Sequence, residues 1–205
     1  MSRSTTSSPI VPRQPRAIAT RARLLEIVES IVAKEGSDAV TTTRVAAEAG
    51  SAVGTIYRYF EDRNAMLLGA YDAIVLRLVS CCQAALDELP ASMPIAQAAS
   101  ELLKIYLEAS EQLPAHAALL AEMRRIRPFE NGHPHESREL AETVVSPFLQ
   151  RFAPDTENSG IRLRIIGTIL VTLVDLYLVT SDPLERATVR TELEAHLQLM
   201  LSRLN

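Results

Sequence analysis

Residues 41–63 read TTTRVAAEAGSAVGTIYRYFEDR, and the fold is decided by how this stretch is punctuated. The run Thr41-Thr42-Thr43 offers hydroxyls that suit a helix N-cap, and Val45, Ala46 and Ala49 then fall on one side of a short helix that Gly50 stops. A third helix, Ala52 to Phe60, follows almost at once, with Ile56 and Phe60 four apart as its buried pair. The charged step Glu61-Asp62-Arg63 breaks the pattern, and Asp62 is placed to cap a fourth helix running to about Leu89. Two short helices joined by a tight glycine turn match helix-turn-helix geometry.

Working outward, the first sixteen residues are rich in Ser, Thr, Pro and Arg without hydrophobic period, which predicts a flexible tail. A first helix is expected from an N-cap near Thr20, because Leu24, Ile27, Val28, Ile31 and Val32 recur at helical spacing up to Gly36. Beyond the fourth helix, Pro90 and Pro94 bracket a break. A fifth helix spans about Ile95 to Leu113, and Pro114 opens a sixth that ends near Arg127-Pro128. PFENGHPHES reads as a loop; a seventh helix covers about Ser137 to Phe152, bent or split at Pro147. After APDTENSG comes an apolar helix, about Ile161 to Thr180. Ser181 or Asp182 then caps a last helix with Pro183 in its first turn. With no alternating strand pattern, the chain reads as all-α: a three-helix domain followed by about six helices.

Composition closes off other classes. With 205 residues, 47% hydrophobic and 22% charged, the chain is neither disordered nor collagen-like. Its two cysteines are the adjacent Cys81 and Cys82, so no disulfide framework or zinc-binding CxxC pair is present, and a reducing compartment is implied. The N-terminus has no signal-peptide core, and the run Ile165 to Val179 is too short for a bilayer and contains Asp175. A soluble cytoplasmic protein with no membrane partner is expected. The net charge of −4 divides unevenly, +2 over residues 1–63 and −6 over residues 64–205, which suggests two jobs.

The stretch TTTRVAAEAGSAVGTIYRYFEDRNAML, with the preceding TRARLLEIVESIVAKEG, resembles the DNA-binding domain of the TetR family of bacterial transcriptional regulators. The likeness covers about residues 17–70. It rests on Ala46, Ala49-Gly50, Gly54-Thr55-Ile56-Tyr57, Tyr59-Phe60 and Arg63. It implies a flexible basic tail over 1–16, a DNA-binding domain over 17–63 and a ligand-binding and dimerisation domain over 64–205, with helix four linking the last two. Carried onto matching positions, it implies that Thr42 and Thr43 reach a phosphate or base edge. Ala52, Val53, Gly54 and Thr55 would lie closest to the bases, and Tyr57 and Tyr59 would bond phosphates. Arg58 would bond a guanine or the backbone, and Arg63 would take the place of a phosphate-binding lysine. Ile56 and Phe60 would be core. Where the family often carries Ser-Lys this chain has Ala52-Val53, which removes a hydroxyl and a cation and leaves apolar contact with a thymine methyl. Arg3, Arg13 and Arg16 would either enter the minor groove or belong to a solvated tail.

The resemblance also implies a homodimer formed by the last two helices, whose apolar residues Ile166, Ile169, Leu170, Leu173, Leu193, Leu197, Met200, Leu201 and Leu204 are the candidates, reading a palindromic DNA operator. A small-molecule effector would bind among Tyr106, Met123, Phe148, Phe152 and Tyr177, with His116, Glu122 or Asp175 as polar anchors, and would shift the spacing of the two reading heads. A repressor released by its effector is the reading, and no cofactor is called for.

Two other readings compete. An enzyme would have to use Gly132-His133-Pro134-His135-Glu136, yet no HExxH spacing, serine nucleophile motif or phosphate loop is present, and neither a metal nor catalysis is expected. A helical ligand-binding or scaffold protein without DNA activity is the alternative that the Ala52-Val53 departure supports.

Overall fold

The computed structural model describes residues 14–127, 141–154 and 160–203, and among these the chain is helical with no strand. The helices are α1 (Pro15–Glu35), α2 (Thr42–Glu48), α3 (Val53–Tyr57), α4 (Arg63–Glu88), α5 (Ile95–Glu111), α6 (His116–Ile126), α7 (Ser146–Phe152), α8 (Gly160–Val179) and α9 (Pro183–Ser202). They group into two compact units. The first takes Met1–Ile74 and Ala115–Arg127; the second takes Val75–Pro114 and Pro128–Asn205.

This grouping differs from a divide after residue 63. Helix α4 is shared, and the α6 segment returns to the first unit, where Leu119, Leu120 and Met123 are buried. The reason is hydrophobic. Helices α1 to α3, the segment after α3 and the start of α4 supply the buried Leu24, Leu25, Val28, Ile31, Val45, Ile56, Phe60, Met66 and Ile74, and α6 adds another apolar face to this unit.

Within the first unit, α1 begins five residues before Thr20. Pro15 sits in its first turn, where its fixed φ suits a helix and its missing N–H would have been unbonded. Thr20 instead donates its hydroxyl to the Arg16 carbonyl, 2.8 Å away, inside the helix. Helix α2 is capped as expected, with the Arg44 amide on Thr41 Oγ1 at 3.1 Å. It ends in a Schellman turn: the Ser51 amide bonds the Ala46 carbonyl at 2.9 Å and the Gly50 amide bonds that of Ala47 at 3.1 Å. That turn needs the φ of +62° that Gly50 adopts, a conformation costly for a residue with a Cβ. Helix α3 is shorter than expected, with Ala52 as its N-cap, although Phe60 still bonds the Ile56 carbonyl at 3.0 Å. Asp62 accepts from the Ala65 amide at 2.7 Å and opens α4. Further along α4, a Cβ on Gly69 would lie 3.1 Å from Leu25 Cδ2 and 3.2 Å from Arg21 Nη2, so a side chain there would require these α1 side chains to shift by a few tenths of an ångström.

The second unit has its core in Leu86, Ala98, Ala99, Leu102, Val145, Phe148, Leu149, Leu197 and Leu201. The expected break at Pro147 appears as a π-helical turn, Ala141–Val145, that runs into α7, with the proline in the first turn of α7. Asp182 caps α9 through the amides of Leu184 and Glu185, at 3.0 and 2.8 Å, with Pro183 at its first position.

Among the described residues one helix, α4, is long and apolar enough to cross a membrane, and half of its most apolar window is buried inside the chain. The longer apolar stretch lies in α4, interrupted by Asp72 and Arg77, rather than in Ile165–Val179, which contains Asp175.

Candidate nucleic-acid interface

Helices α2 and α3 and the turn between them present one polar, uneven face. Thr43, Ala52, Gly54, Tyr57 and Arg58 are exposed, Thr42, Val53, Thr55 and Tyr59 are half-buried, and Ile56 and Phe60 are buried. The division follows helical period: Ile56 and Phe60 point into the core one turn apart, which leaves Tyr57 and Arg58 outside. Tyr57 is 56% exposed, too much for a packing aromatic. Ala52 offers no side-chain acceptor to the first turn of α3. Arg21 of α1 lies over the Phe60 ring, 5.4 Å from its centroid, and holds the end of this segment against α1.

The cations here differ in what they already hold. Arg44 is taken, with Nε 2.6 Å from Glu48 and Nη2 2.7 Å from Glu35, a pair of bonds that raises its pKa. Arg58 is exposed, and among the described residues no hydrogen bond or ion pair occupies its guanidinium. Arg63, expected on a phosphate, is bonded inside the chain. Its Nε donates to the Val40 carbonyl at 3.0 Å and its Nη2 to the Ser37 carbonyl at 2.7 Å. Asp38 lies 3.5 Å from Nη2 and Glu122 4.0 Å from Nη1. Composition could not reveal this, because a guanidinium finds its acceptors only once the turn at residues 37–40 and α6 are in place. Arg16 is exposed in the first turn of α1; Arg3 and Arg13 lie outside the described residues.

The residues expected at an effector site do not share a unit. Tyr106, Phe148, Phe152, Asp175 and Tyr177 belong to the second, while His116, Glu122 and Met123 belong to the first. Glu122 accepts Ser37 Oγ at 3.0 Å and Arg125 Nη2 at 2.7 Å, so its carboxylate is engaged within that unit. His116 is buried, with its ring 6.2 Å from that of Tyr71, and Met123 is core. In the second unit, burial pushes the Tyr106 phenol above its usual range, with the Cys82 thiol, itself raised to about 12, beside it and Ser110 as a hydrogen-bond partner. Phe148 and Phe152 stack at 5.1 Å. Tyr177 donates to Glu111 at 2.6 Å under the guanidinium of Arg186, 4.4 Å from the ring centroid. Asp175 is half-buried on α8.

The residues expected at a dimer interface divide by their burial within the single chain. Leu193, Leu197 and Leu201 are buried in their own unit at 0%, 6% and 8% exposure, and Ile166 and Leu170 pack against the same core. Ile169, Leu173 and Met200 are half-buried; Leu204 lies outside the described residues. The large apolar side chains left exposed on α8 and α9 are Ile161, Ile165, Leu176, Val179, Leu184 and Leu199. Periodicity locates an apolar face without saying which neighbour covers it.

Among the described residues no group of three or more His, Cys, Asp or Glu is placed to hold a metal; Gly132-His133-Pro134-His135-Glu136 lies outside them.

Residues 29–70 match the model of bacterial regulatory proteins of the tetR family. Solved structures with a similar fold include the TetR family repressor AlkX from Dietzia sp. (16% identity, TM-score 0.63, covering 93% of this chain and 97% of that one). A TetR-family regulator from Streptomyces coelicolor is similar at 20% identity and TM-score 0.59, over 91% and 99% of the two chains. A third, described as a transcriptional regulator, comes from Pseudomonas aeruginosa (21% identity, TM-score 0.59, 94% and 92%). No curated protein matches the sequence.

Proposed function

On the match of residues 29–70 to the model of tetR-family bacterial regulatory proteins, we propose that the chain is a homodimeric, cytoplasmic repressor of that family that binds a palindromic operator and is released by a small molecule. The observation that carries the DNA reading is the face of α3. Tyr57 and Arg58 are exposed one and two residues after the fully buried Ile56, and Arg58 has no ion pair among the described residues. A side chain kept exposed and uncompensated beside a packed helix is suited to an anionic partner. Thr42, Thr43, Ala52, Val53, Gly54, Thr55 and Tyr59 fill out the contact face.

The dimer reading rests on the exposed faces of α8 and α9. Alongside the exposed Ile161, Ile165, Leu176, Val179, Leu184 and Leu199, the hydroxyls of Thr168, Thr172, Thr180, Thr188 and Thr191 each bond the carbonyl four residues back. Such faces carry apolar area while their hydroxyls are already satisfied, which lowers the cost of burying them against a second copy. Tyr106, Phe148, Phe152, Asp175 and Tyr177 in the second unit remain the candidates for the effector.

Selection of bound duplexes from a random pool, followed by titration at several salt concentrations, tests the whole reading. An enriched palindrome whose affinity falls steeply with salt is expected. Recovery of no preferred sequence, with no salt-dependent binding, would sink it in favour of a helical ligand-binding or scaffold protein.

A further inference from the structure

The first unit contains a buried-edge cluster that the function above does not use. The turn at residues 37–40 leads directly into Thr41, the N-cap of α2, and it is held from two sides. From α4, the Arg63 fork spans the carbonyls of Val40 and Ser37, at 3.0 and 2.7 Å. From α6, the Glu122 carboxylate takes the Ser37 hydroxyl at 3.0 Å and faces Arg63 Nη1 at 4.0 Å, while Arg125 steadies it at 2.7 Å. The Glu122 side chain is 14% exposed and that of Arg63 29%. A planar fork matched to two carbonyls is a geometric fixture that a lysine ammonium, a point charge, does not reproduce.

We propose that Arg63 is a positioning residue rather than a phosphate ligand, and that Glu122 couples α6 through Ser37 and Arg63 to the turn that carries α2 and α3. The proposal deepens the DNA reading and, for its affinity readouts, rests on it. A change in the placement of α6 would reach the reading helices by loosening the 37–40 turn, one residue before the helix cap. The chain of contacts is short: Glu122 to Ser37 and Arg63, Arg63 to Val40, Val40 to Thr41.

The test compares wild type with Arg63→Lys, Arg63→Gln, Glu122→Gln, Ser37→Ala and the Arg63→Lys/Glu122→Gln double variant. The selected duplex is titrated at four salt concentrations, and amide exchange is measured without DNA. Arg63→Lys keeps the charge and loses the fork, so it is expected to weaken binding about two- to thirtyfold, as remote coupling residues do. Its salt slope should equal that of wild type. Glu122→Gln weakens binding in the same direction, and the double variant is no weaker than Arg63→Lys alone, because both act on one turn. Ser37→Ala removes only the hydroxyl and gives a smaller loss, which guards against variants that fail to fold. Faster exchange at Val40, Arg44 and Val45 accompanies each.

A different pattern overturns the proposal. If Arg63→Lys binds like wild type while Arg63→Gln lowers the salt slope by about one, Arg63 is a phosphate ligand. Additive losses, or unchanged exchange in Arg63→Lys and Glu122→Gln, overturn the coupling. Should wild type select no duplex, the DNA reading fails, and the exchange measurement still decides the positioning role.

Discussion

Ile56 and Tyr57 are adjacent in α3 and face opposite ways: the isoleucine is fully buried and the tyrosine is 56% exposed. One peptide bond thus separates the fold from its candidate partner. Ile56→Ala is expected to cost about 2–5 kcal/mol through lost burial and a residual cavity. Tyr57→Ala should change stability by no more than about 0.5 kcal/mol while weakening duplex binding. Urea unfolding and DNA titration of the two variants check this, and equal destabilisation by both would remove Tyr57 from the contact face.

Arg58 is the exposed cation of the reading face without an ion pair among the described residues. Arg58→Ala should leave the melting temperature where it is and reduce affinity for the selected duplex by about 1–3 kcal/mol. Binding measured across single-base variants of the duplex separates the two roles. Relaxed discrimination at one position marks a base contact, and uniform weakening with a shallower salt slope marks a phosphate contact.

The proposed dimer face makes a paired prediction. Leu176, 49% exposed, and Leu197, 6% exposed, lie on α8 and α9. Leu176→Glu is expected to give a folded monomer by sedimentation, since its charge meets water once the partner has left. Leu197→Glu places a carboxylate in the second unit's core and should unfold that unit. A Leu176→Glu protein that remains dimeric would move the interface elsewhere.

Acid sensitivity follows from Glu122. The hydrogen bond from Arg125 holds its carboxyl below the usual range, with the Ser37 hydroxyl and the charge of Arg63 acting the same way, while burial opposes them. A carboxyl with a depressed folded pKa adds stability above its unfolded value, about 4.3, and loses it as pH falls through the folded value. Between pH 7 and pH 3, denaturant midpoints for Glu122→Gln should therefore decline less than those of wild type below about pH 4.3. Parallel curves would assign the acid loss to other carboxylates.

Tyr177 joins three helices of the second unit through its bond to Glu111 and the guanidinium of Arg186 above its ring. Tyr177→Phe keeps the ring and the stacking and removes the hydroxyl, so a loss of about 1 kcal/mol is expected by urea unfolding, with duplex affinity unchanged. Loss of binding alongside the loss of stability would tie this cluster to the DNA readout.

Much of the local architecture was legible beforehand because it is written in local signals. Thr41, Gly50, Asp62 and Asp182 cap or close helices through partners within a few residues, and Ile56 and Phe60 declare their burial by spacing alone. Even the misplaced start of α1 is a local matter, a competition between Thr20 as a cap and Pro15 as a first-turn residue.

By itself the sequence determined an all-helical chain, a short helix pair with a glycine turn near its start, and which residues of that pair are core. Tertiary structure alone decided that α6 packs with the first unit, that Arg63 turns inward, and that Leu193, Leu197 and Leu201 are covered by their own chain. The physical reason is range. Caps and helical faces are settled by neighbours a turn away, whereas the acceptors of a guanidinium and the cover of an apolar face come from segments that only folding brings together.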